Sequence, residues 1–243
     1  MRRLAHAREH LDGALTDPRV LDGNLRDLRR VNRAFGGSSL SVQALRALVL
    51  SAAGRETADR SDGDLHVLDV GTGGADIPMA MVGAGGPWRS VHVTAVDSRR
   101  EVLEAARRVT PGLVGSRDVS LELADGRSLP YPDRAFDVAH ASLVLHHLEP
   151  EDAAAFIAEL ARVARLGVVV NDLARGFVPW IGAWLVLHAM TRNSFTLHDG
   201  PLSVRRAYTP AEARGLLAGA GLVPVRELHG LAGHRWAIAA GRP

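Results

Sequence analysis

The chain has 243 residues, 47% of them hydrophobic, which is enough for one α/β domain with a full core and excludes general disorder. It has no cysteine, which excludes a disulfide framework, a thiolate metal site and a thiol nucleophile, and fits a cytoplasmic protein. Its net charge of +2 comes from 29 basic and 27 acidic residues, and because every basic residue is arginine, lysine Schiff-base and P-loop chemistry are excluded too.

Residues 1–50 read as helical. Leu21, Leu25, Leu28 and Val31 fall at helical spacing, Leu40 to Leu50 form a second apolar-periodic run, and Gly36-Gly37-Ser38-Ser39 separates the two. Gly54 to Asp64 reads as a polar loop. Strands and helices then alternate. Strands are expected at about 65–70, 91–96, 118–123, 136–141 and 166–170, with helices after Asp76, over 99–108 and over about 151–164. Near-continuous apolar strands in such an alternation argue for a parallel sheet covered on both faces. The alternation breaks at 176–208, a Trp- and Leu-rich insertion. Thr209-Pro210-Ala211-Glu212 then reads as a capping box that starts a helix ending near Gly219 or Gly221. Leu222 to Leu228 and Arg235 to Ala240 read as a final antiparallel hairpin at the sheet edge. This divides the chain into an N-terminal helical cap, 1–55, and a domain over 56–243 that carries the insertion as a lid.

Phe177 to Met190 is the most apolar window, and its 14 residues fall short of the roughly 20 that cross a membrane. Arg2 and Arg3 have no long apolar core behind them, so no signal peptide is expected. The arginine pairs are dispersed among acids and lack neighbouring aromatics, so a nucleic-acid partner is not expected.

The chemistry concentrates around Val67-Leu68-Asp69-Val70-Gly71-Thr72-Gly73-Gly74-Ala75-Asp76. A strand running into a glycine turn lets the backbone approach a ligand, and the following helix offers free N–H groups there. In open α/β sheets the ligand crevice lies at the carboxyl ends of the strands. The dinucleotide fingerprint has a third glycine where this chain has Asp76, and a pyrophosphate is disfavoured beside that carboxylate. A sulfonium with an α-amino group is not. Asp69 is placed to receive an ammonium group, Asp97 at the end of the second strand to accept two ribose hydroxyls, and Asp125, before Gly126, to accept from an adenine amino group. Gly71, Thr72, Gly73, Ser98 and Ser142 complete the candidate cofactor set.

These stretches, in this order and with Phe136 to Leu148 after them, resemble the class I S-adenosylmethionine-dependent methyltransferases over roughly residues 65–240. The resemblance implies a Rossmann-like α/β fold, with a seven-stranded, mostly parallel sheet and an antiparallel last strand, and S-adenosylmethionine as cofactor. Leu28 to Arg33, Asn171-Asp172-Leu173 and His198 to Ala207 further resemble small methyltransferases found beside type III polyketide synthases. That implies O-methylation of a phenolic or polyketide-derived acceptor.

A hydroxyl acceptor benefits from a general base, and histidine is the usual one near neutral pH. His146 and His147 follow the fourth strand, and His198 lies in the insertion beside Asp199; these three are the catalytic candidates. Asn32 and Arg33 are placed to reach the cofactor's carboxylate. Asn171-Asp172 alone does not amount to the carboxylate cluster of metal-dependent catechol-type enzymes, so no metal ligand is expected. The insertion reads as a buried helix, apolar almost all round, forming a lid over a small apolar acceptor or a homodimer interface. The alternatives are a C-methyltransferase of the quinone-biosynthesis type, an NAD(P)-dependent oxidoreductase that tolerates Asp76, and a non-catalytic methyltransferase-like binding protein.

Overall fold

The computed structural model describes residues 1–14, 17–53 and 63–243. Most of the loop expected at Gly54 to Asp64 lies outside them. The helical reading of residues 1–50 fails before Pro18, where the described residues hold only a 3-10 turn, His10–Asp12, because the apolar periodicity begins at Leu21. Two α-helices follow, α1 (Pro18–Ala34) and α2 (Gly37–Ala53). Asp17 caps α1 by accepting from the Arg19 N–H at 2.8 Å, with Pro18 at the first helical position. The expected four-residue break shrinks to Phe35 and Gly36. Gly36 takes a left-handed turn at φ +77°, and Gly37, Ser38 and Ser39 already belong to α2.

The alternating part runs β1 (Leu65–Val70), α3 (Asp76–Val82), β2 (Val91–Asp97), α4 (Arg100–Val109), β3 (Val119–Leu123), β4 (Phe136–Ser142), α5 (Pro150–Val163) and β5 (Ala164–Leu173). It is followed by α6 (Phe177–Met190), α7 (Ser194–Arg206), α8 (Pro210–Gly219), β6 (Val223–His229) and β7 (Arg235–Gly241). The seven strands form one sheet in the order β3-β2-β1-β4-β5-β7-β6. All neighbours up to β5 pair in parallel, while β7 runs antiparallel between β5 and β6. The expected hairpin therefore sits at the edge with β7 on its inner side. Every residue of β7 is buried, whereas none of β6, the outer strand, is. Trp236 is fully buried there and donates its indole N–H to the Tyr208 carbonyl at 3.1 Å.

Two core clusters cover the two faces of the sheet. One gathers Leu68, Val70, Phe156, Ile157 and Trp236 under α5 and α8; the other gathers Leu45, Leu48, Val67, Met81 and Val93 under α2 and α3. Thr209 and Glu212 form the expected capping box of α8. No helix among the described residues is long and apolar enough to cross a membrane.

The insertion differs from its expectation. It is two helices, and α6 is not buried all round. Leu187 is its one buried residue, while Phe177, Val178, Ile181, Trp184, Leu185 and Met190 are exposed. A helix that is apolar on every side can bury only the side it packs, and α7 covers α6 on one side alone. Gly200 permits that contact: a Cβ there would stand 2.1 Å from Leu187 Cδ1.

Gly167 is the tightest point of the sheet. Its φ is +154°, and a Cβ would lie 2.2 Å from the Ala240 carbonyl oxygen on β7. That oxygen is backbone and cannot swing aside. Gly167→Ala is therefore expected to cost about 3 kcal/mol or more, from backbone strain plus overpacking. Thermal unfolding would read this as a fall in Tm of roughly 6–12 °C.

Candidate active site

The carboxyl ends of β1, β2 and β4 and the segment after β3 open onto one crevice of about 350 Å³. Asp69, Gly71, Thr72, Gly73, Asp97, Ser98, Asp125, Gly126 and Ser142 all line it, so the fold brings together the whole candidate cofactor set. The turn after β1 is shaped by glycine. Gly71 has φ +71°, and a Cβ there would stand 2.4 Å from Val144 Cγ2. The Gly71 and Thr72 N–H groups both donate to the Val96 carbonyl at 2.9 Å, which ties the turn to β2. Gly126 is held by packing instead, since a Cβ would stand 2.6 Å from Val70 Cγ1 and 2.7 Å from Phe156 Cε2.

Asp97 joins the turn to α4. One oxygen accepts from the Gly73 N–H at 3.2 Å and the other from the Arg99 N–H at 3.1 Å. Burial raises its pKa above the usual carboxylate range, against the pull of those two donors. Asp125 is more open, and the Arg127 guanidinium beside it (2.9 Å) lowers its pKa. Asp69 is buried and shares a 2.5 Å hydrogen bond with Nδ1 of the fully buried His140, whose Nε2 meets Ser41 Oγ at 2.8 Å. One Asp69 oxygen is thus committed to the core, while the residue still forms part of the crevice wall. Asp76 accepts from the Asn32 amide at 3.1 Å, and burial raises its pKa. Asn32 in turn accepts from Arg235 at 2.7 Å; full burial lowers the Arg235 pKa to about 10. Asn32 lines the crevice, but Arg33 is exposed and does not.

A second cavity, about 330 Å³, adjoins the first; Leu11, Leu28, Leu143 and His147 line both. Its walls are apolar, from Val31, Phe35 and Leu173 on one hand and Val178, Val186 and Leu187 of α6 on the other. Its polar end is built by Glu9, His146 and His147. The two histidines sit in the single 3-10 turn Leu145–His147 that follows β4. His146 Nδ1 donates to Asp172 Oδ1 at 2.7 Å and its backbone N–H to Asp172 Oδ2 at 3.1 Å. His147 Nδ1 donates to Asp12 Oδ1 at 2.7 Å. Arg206 donates to Asp12 at 2.9 Å and to the His147 carbonyl at 2.8 Å.

Burial alone would raise Asp12, but the hydrogen bond and charge of His147, with the bond from Arg206, hold its carboxyl well below the usual range. Glu9 goes the other way: burial outweighs His147 and Arg206 and pushes its pKa up to about 7. His198 lies apart from this group. It bonds Asp199 at 2.7 Å, stacks on His10 at 3.9 Å between ring centroids, and lines neither cavity. Asp199 instead accepts from the His10 and Leu11 N–H groups at 2.8 and 3.0 Å, fixing the N-terminal segment over the site. Glu9, Asp12 and Arg206 are the polar residues that the motifs do not reveal.

Residues 67–167 match the model of a family described as a methyltransferase domain. A ubiquinone/menaquinone biosynthesis C-methyltransferase from Burkholderia mallei is 32% identical over 115 residues, 46% of this chain and 45% of that protein. The chain spans about half the length of the curated relatives it matches. Among solved structures, a SAM-dependent methyltransferase from Aquifex aeolicus superposes with a TM-score of 0.59 at 20% identity, covering 92% of this chain and 97% of the other. An O-methyltransferase family 2 protein from Planctomyces limnophilus, in complex with apigenin, gives 0.61 at 20% identity, covering 96% and 64%.

Proposed function

For a chain that carries a methyltransferase domain within the class I methyltransferase fold, we propose S-adenosylmethionine-dependent methyl transfer to a small apolar acceptor, by O-methylation of a phenolic or polyketide-derived hydroxyl. The observation that carries this reading is the joined pair of cavities, the first lined by every candidate cofactor residue and the second apolar, with His147 at the junction and His146 beside it.

The residues present fit the cofactor. Thr72 Oγ1 is buried in the crevice wall without a hydrogen-bond partner, a polar atom that a ligand would satisfy. Carboxylates line the crevice where a ribose diol and an ammonium need acceptors, and Asp76 is unsuited to a pyrophosphate. In this assignment Asp97 holds the ribose, Asp125 the adenine amino group, and Asp69 and Asn32 the amino-acid moiety. Gly71, Thr72, Gly73 and Gly126 shape the cradle, and Ser98 and Ser142 line it. S-adenosylmethionine bound there supplies a methyl group already activated on sulfur. The chain's own work is to orient the acceptor, exclude water and take up its proton. His146, oriented by Asp172, and His147, oriented by Asp12, are the proton acceptors. The described part of the N-terminal segment, up to residue 53, acts as a cap over the cofactor, and residues 176–208 as a lid over the acceptor.

The Burkholderia relative supports a second reading, methylation of a ring carbon in a quinone precursor. Both readings need an ionised phenol, and the position of the new methyl in the product separates them. Calorimetry with S-adenosylhomocysteine is expected to show one site of micromolar affinity, and a labelled methyl group should pass to a phenolic acceptor. Absence of binding by the intact chain would sink the reading.

A further inference from the structure

We propose that Glu9, His146 and His147 form a binding site for one divalent transition-metal cation, of the zinc type, at the junction of the two cavities. This goes beyond the methyl-transfer reading and does not depend on it.

The argument begins with the hydrogen atoms. A carboxylate that accepts from an imidazole leaves the proton on that ring nitrogen. His146 Nδ1 faces Asp172 Oδ1 at 2.7 Å, and His147 Nδ1 faces Asp12 Oδ1 at 2.7 Å. Both Nδ1 atoms therefore carry hydrogen, and in the neutral rings both Nε2 atoms present lone pairs. Those lone pairs meet the same carboxylate. His146 Nε2 is 3.9 Å from Glu9 Oε1, and His147 Nε2 is 3.8 Å from Glu9 Oε2. Both distances exceed hydrogen-bond length, so three acceptors face one another across a gap.

One ligand atom from each of the three residues lies within 4.8 Å of the others. Zinc holds nitrogen and oxygen ligands at about 2.0–2.1 Å, which sets neighbouring ligand atoms roughly 3.4 Å apart in a tetrahedron. A modest closure of the three side chains meets that geometry. A His₂Glu set also leaves a position open, as catalytic zinc sites do. Two imidazoles favour the first-row transition cations over magnesium or calcium.

Two further features agree. Metal-bound histidines typically donate their other N–H to a carboxylate or carbonyl that fixes the ring, and both rings have that partner here. The charges also leave a place for a cation. Asp12 and Asp172 carry two negative charges, Glu9 adds a third once its proton leaves, and Arg206 answers one of them. It is committed to Asp12 at 2.9 Å and to the His147 carbonyl at 2.8 Å, and reaches Glu9 only at 3.5 Å. Arg235, the other nearby guanidinium, donates to Asn32 at 2.7 Å and to Ser142 at 3.3 Å and acts on Asp172 and Asp76 through its charge alone. Glu9 and His146 are 4% and 2% exposed, so water screens this imbalance little.

The consequence for the reaction is specific. His146 Nε2 can accept a proton or bind a cation, but not both at once. With the cation in place, an acceptor hydroxyl in the second cavity would coordinate at the open position. Its proton would then pass to water more readily, as metal binding lowers hydroxyl pKa values.

The test uses the full chain, stripped by chelator and titrated with Zn²⁺, and with Co²⁺ as a spectroscopic probe. One tight equivalent is expected, with Co²⁺ absorption in the visible range typical of a low-coordinate nitrogen–oxygen site. Glu9→Gln should abolish it, and Asp172→Asn should weaken it about 10- to 100-fold. A second group, His10, His198 and Asp199, also has ligand atoms within 4.8 Å and is the competing site. His198→Ala should leave the tight equivalent in place. No binding, binding indifferent to Glu9→Gln, or binding lost with His198→Ala would overturn the proposal. S-adenosylhomocysteine affinity measured on the wild type and on Glu9→Gln keeps the readings separate. Equal affinity shows that the substitution has not unfolded the chain. Its absence in both proteins counts against methyl transfer and leaves the cation result standing.

Discussion

Asp97→Asn is expected to weaken S-adenosylhomocysteine binding about 100-fold or more, the largest effect of any single crevice substitution. The carboxylate ends β2 with one oxygen turned to the Gly73 N–H and the other to the Arg99 N–H, at 3.2 and 3.1 Å. In the proposed assignment a ribose diol would add two donors to an acceptor whose position is already fixed on both sides. Hydrogen bonds to a charged group contribute roughly 1.5–3 kcal/mol each, so losing the charge from both costs about 3 kcal/mol or more. At about 1.4 kcal/mol per decade that is two orders of magnitude. The amide has a further fault. Whichever way it turns, its NH₂ faces one of the two backbone N–H donors, so the glycine turn loosens as well.

Asp125→Asn should cost much less, because Asp125 is exposed and already paired with Arg127 at 2.9 Å, which solvent screens. Calorimetry on the two variants reads the order directly. Equal affinities for Asp97→Asn and wild type would remove Asp97 from the cofactor site. Retention of the thermal transition in both would confine the effect to binding.

That contrast also explains what the sequence makes legible. Asp69 is the last residue but one of β1, Asp97 the last of β2, and Asp125 lies two residues past β3; parallel strands deliver their ends to one edge of the sheet. Local pattern plus fold class therefore suffices to group them, and all nine candidate cofactor residues line the crevice. The polar end of the second cavity has no such local signal. Asp12 reaches His147 across 135 residues and Arg206 across 194, from an N-terminal segment with little periodicity. His198 illustrates the converse. A histidine beside an aspartate reads as a catalytic pair, yet Asp199 serves the His10 and Leu11 N–H groups and His198 stacks outside the cavities. The α6 helix fails for a different reason. Apolar residues on every side leave no moment to say which face is covered, and only contact with α7 decides it. Gly37 to Ser39 mislead because glycine and serine mark a break only when the chain reverses there; here Gly36 does that alone.

The second large effect is expected from His146→Asn, which should lower kcat about 10²- to 10⁴-fold, the range that a positioned general base supplies. The substitution is chosen for its shape. An asparagine amide nitrogen can stand where Nδ1 stands and keep the bond to Asp172, while the far side of the ring, with Nε2, is deleted. His146→Ala would instead remove the ring partner of a fully buried Asp172 carboxylate, and breaking a buried pair from one side costs several kcal/mol of stability. Loss of activity in that variant would say nothing about proton transfer. In His146→Asn, Asp172 still accepts from the residue 146 and Leu173 backbone N–H groups, at 3.1 and 2.7 Å in the wild type, so the turn after β4 stays anchored. The cofactor crevice does not include His146, so S-adenosylhomocysteine affinity should be unchanged. The expected signature is a fall in kcat with intact cofactor binding and an intact thermal transition. Unchanged turnover would mean that neither a proton nor a cation is handled at Nε2. If turnover falls, the chelator-stripped wild type separates the two roles. Full activity without metal assigns the loss to the base, and activity restored only by Zn²⁺ or Co²⁺ assigns it to the cation held with Glu9 and His147.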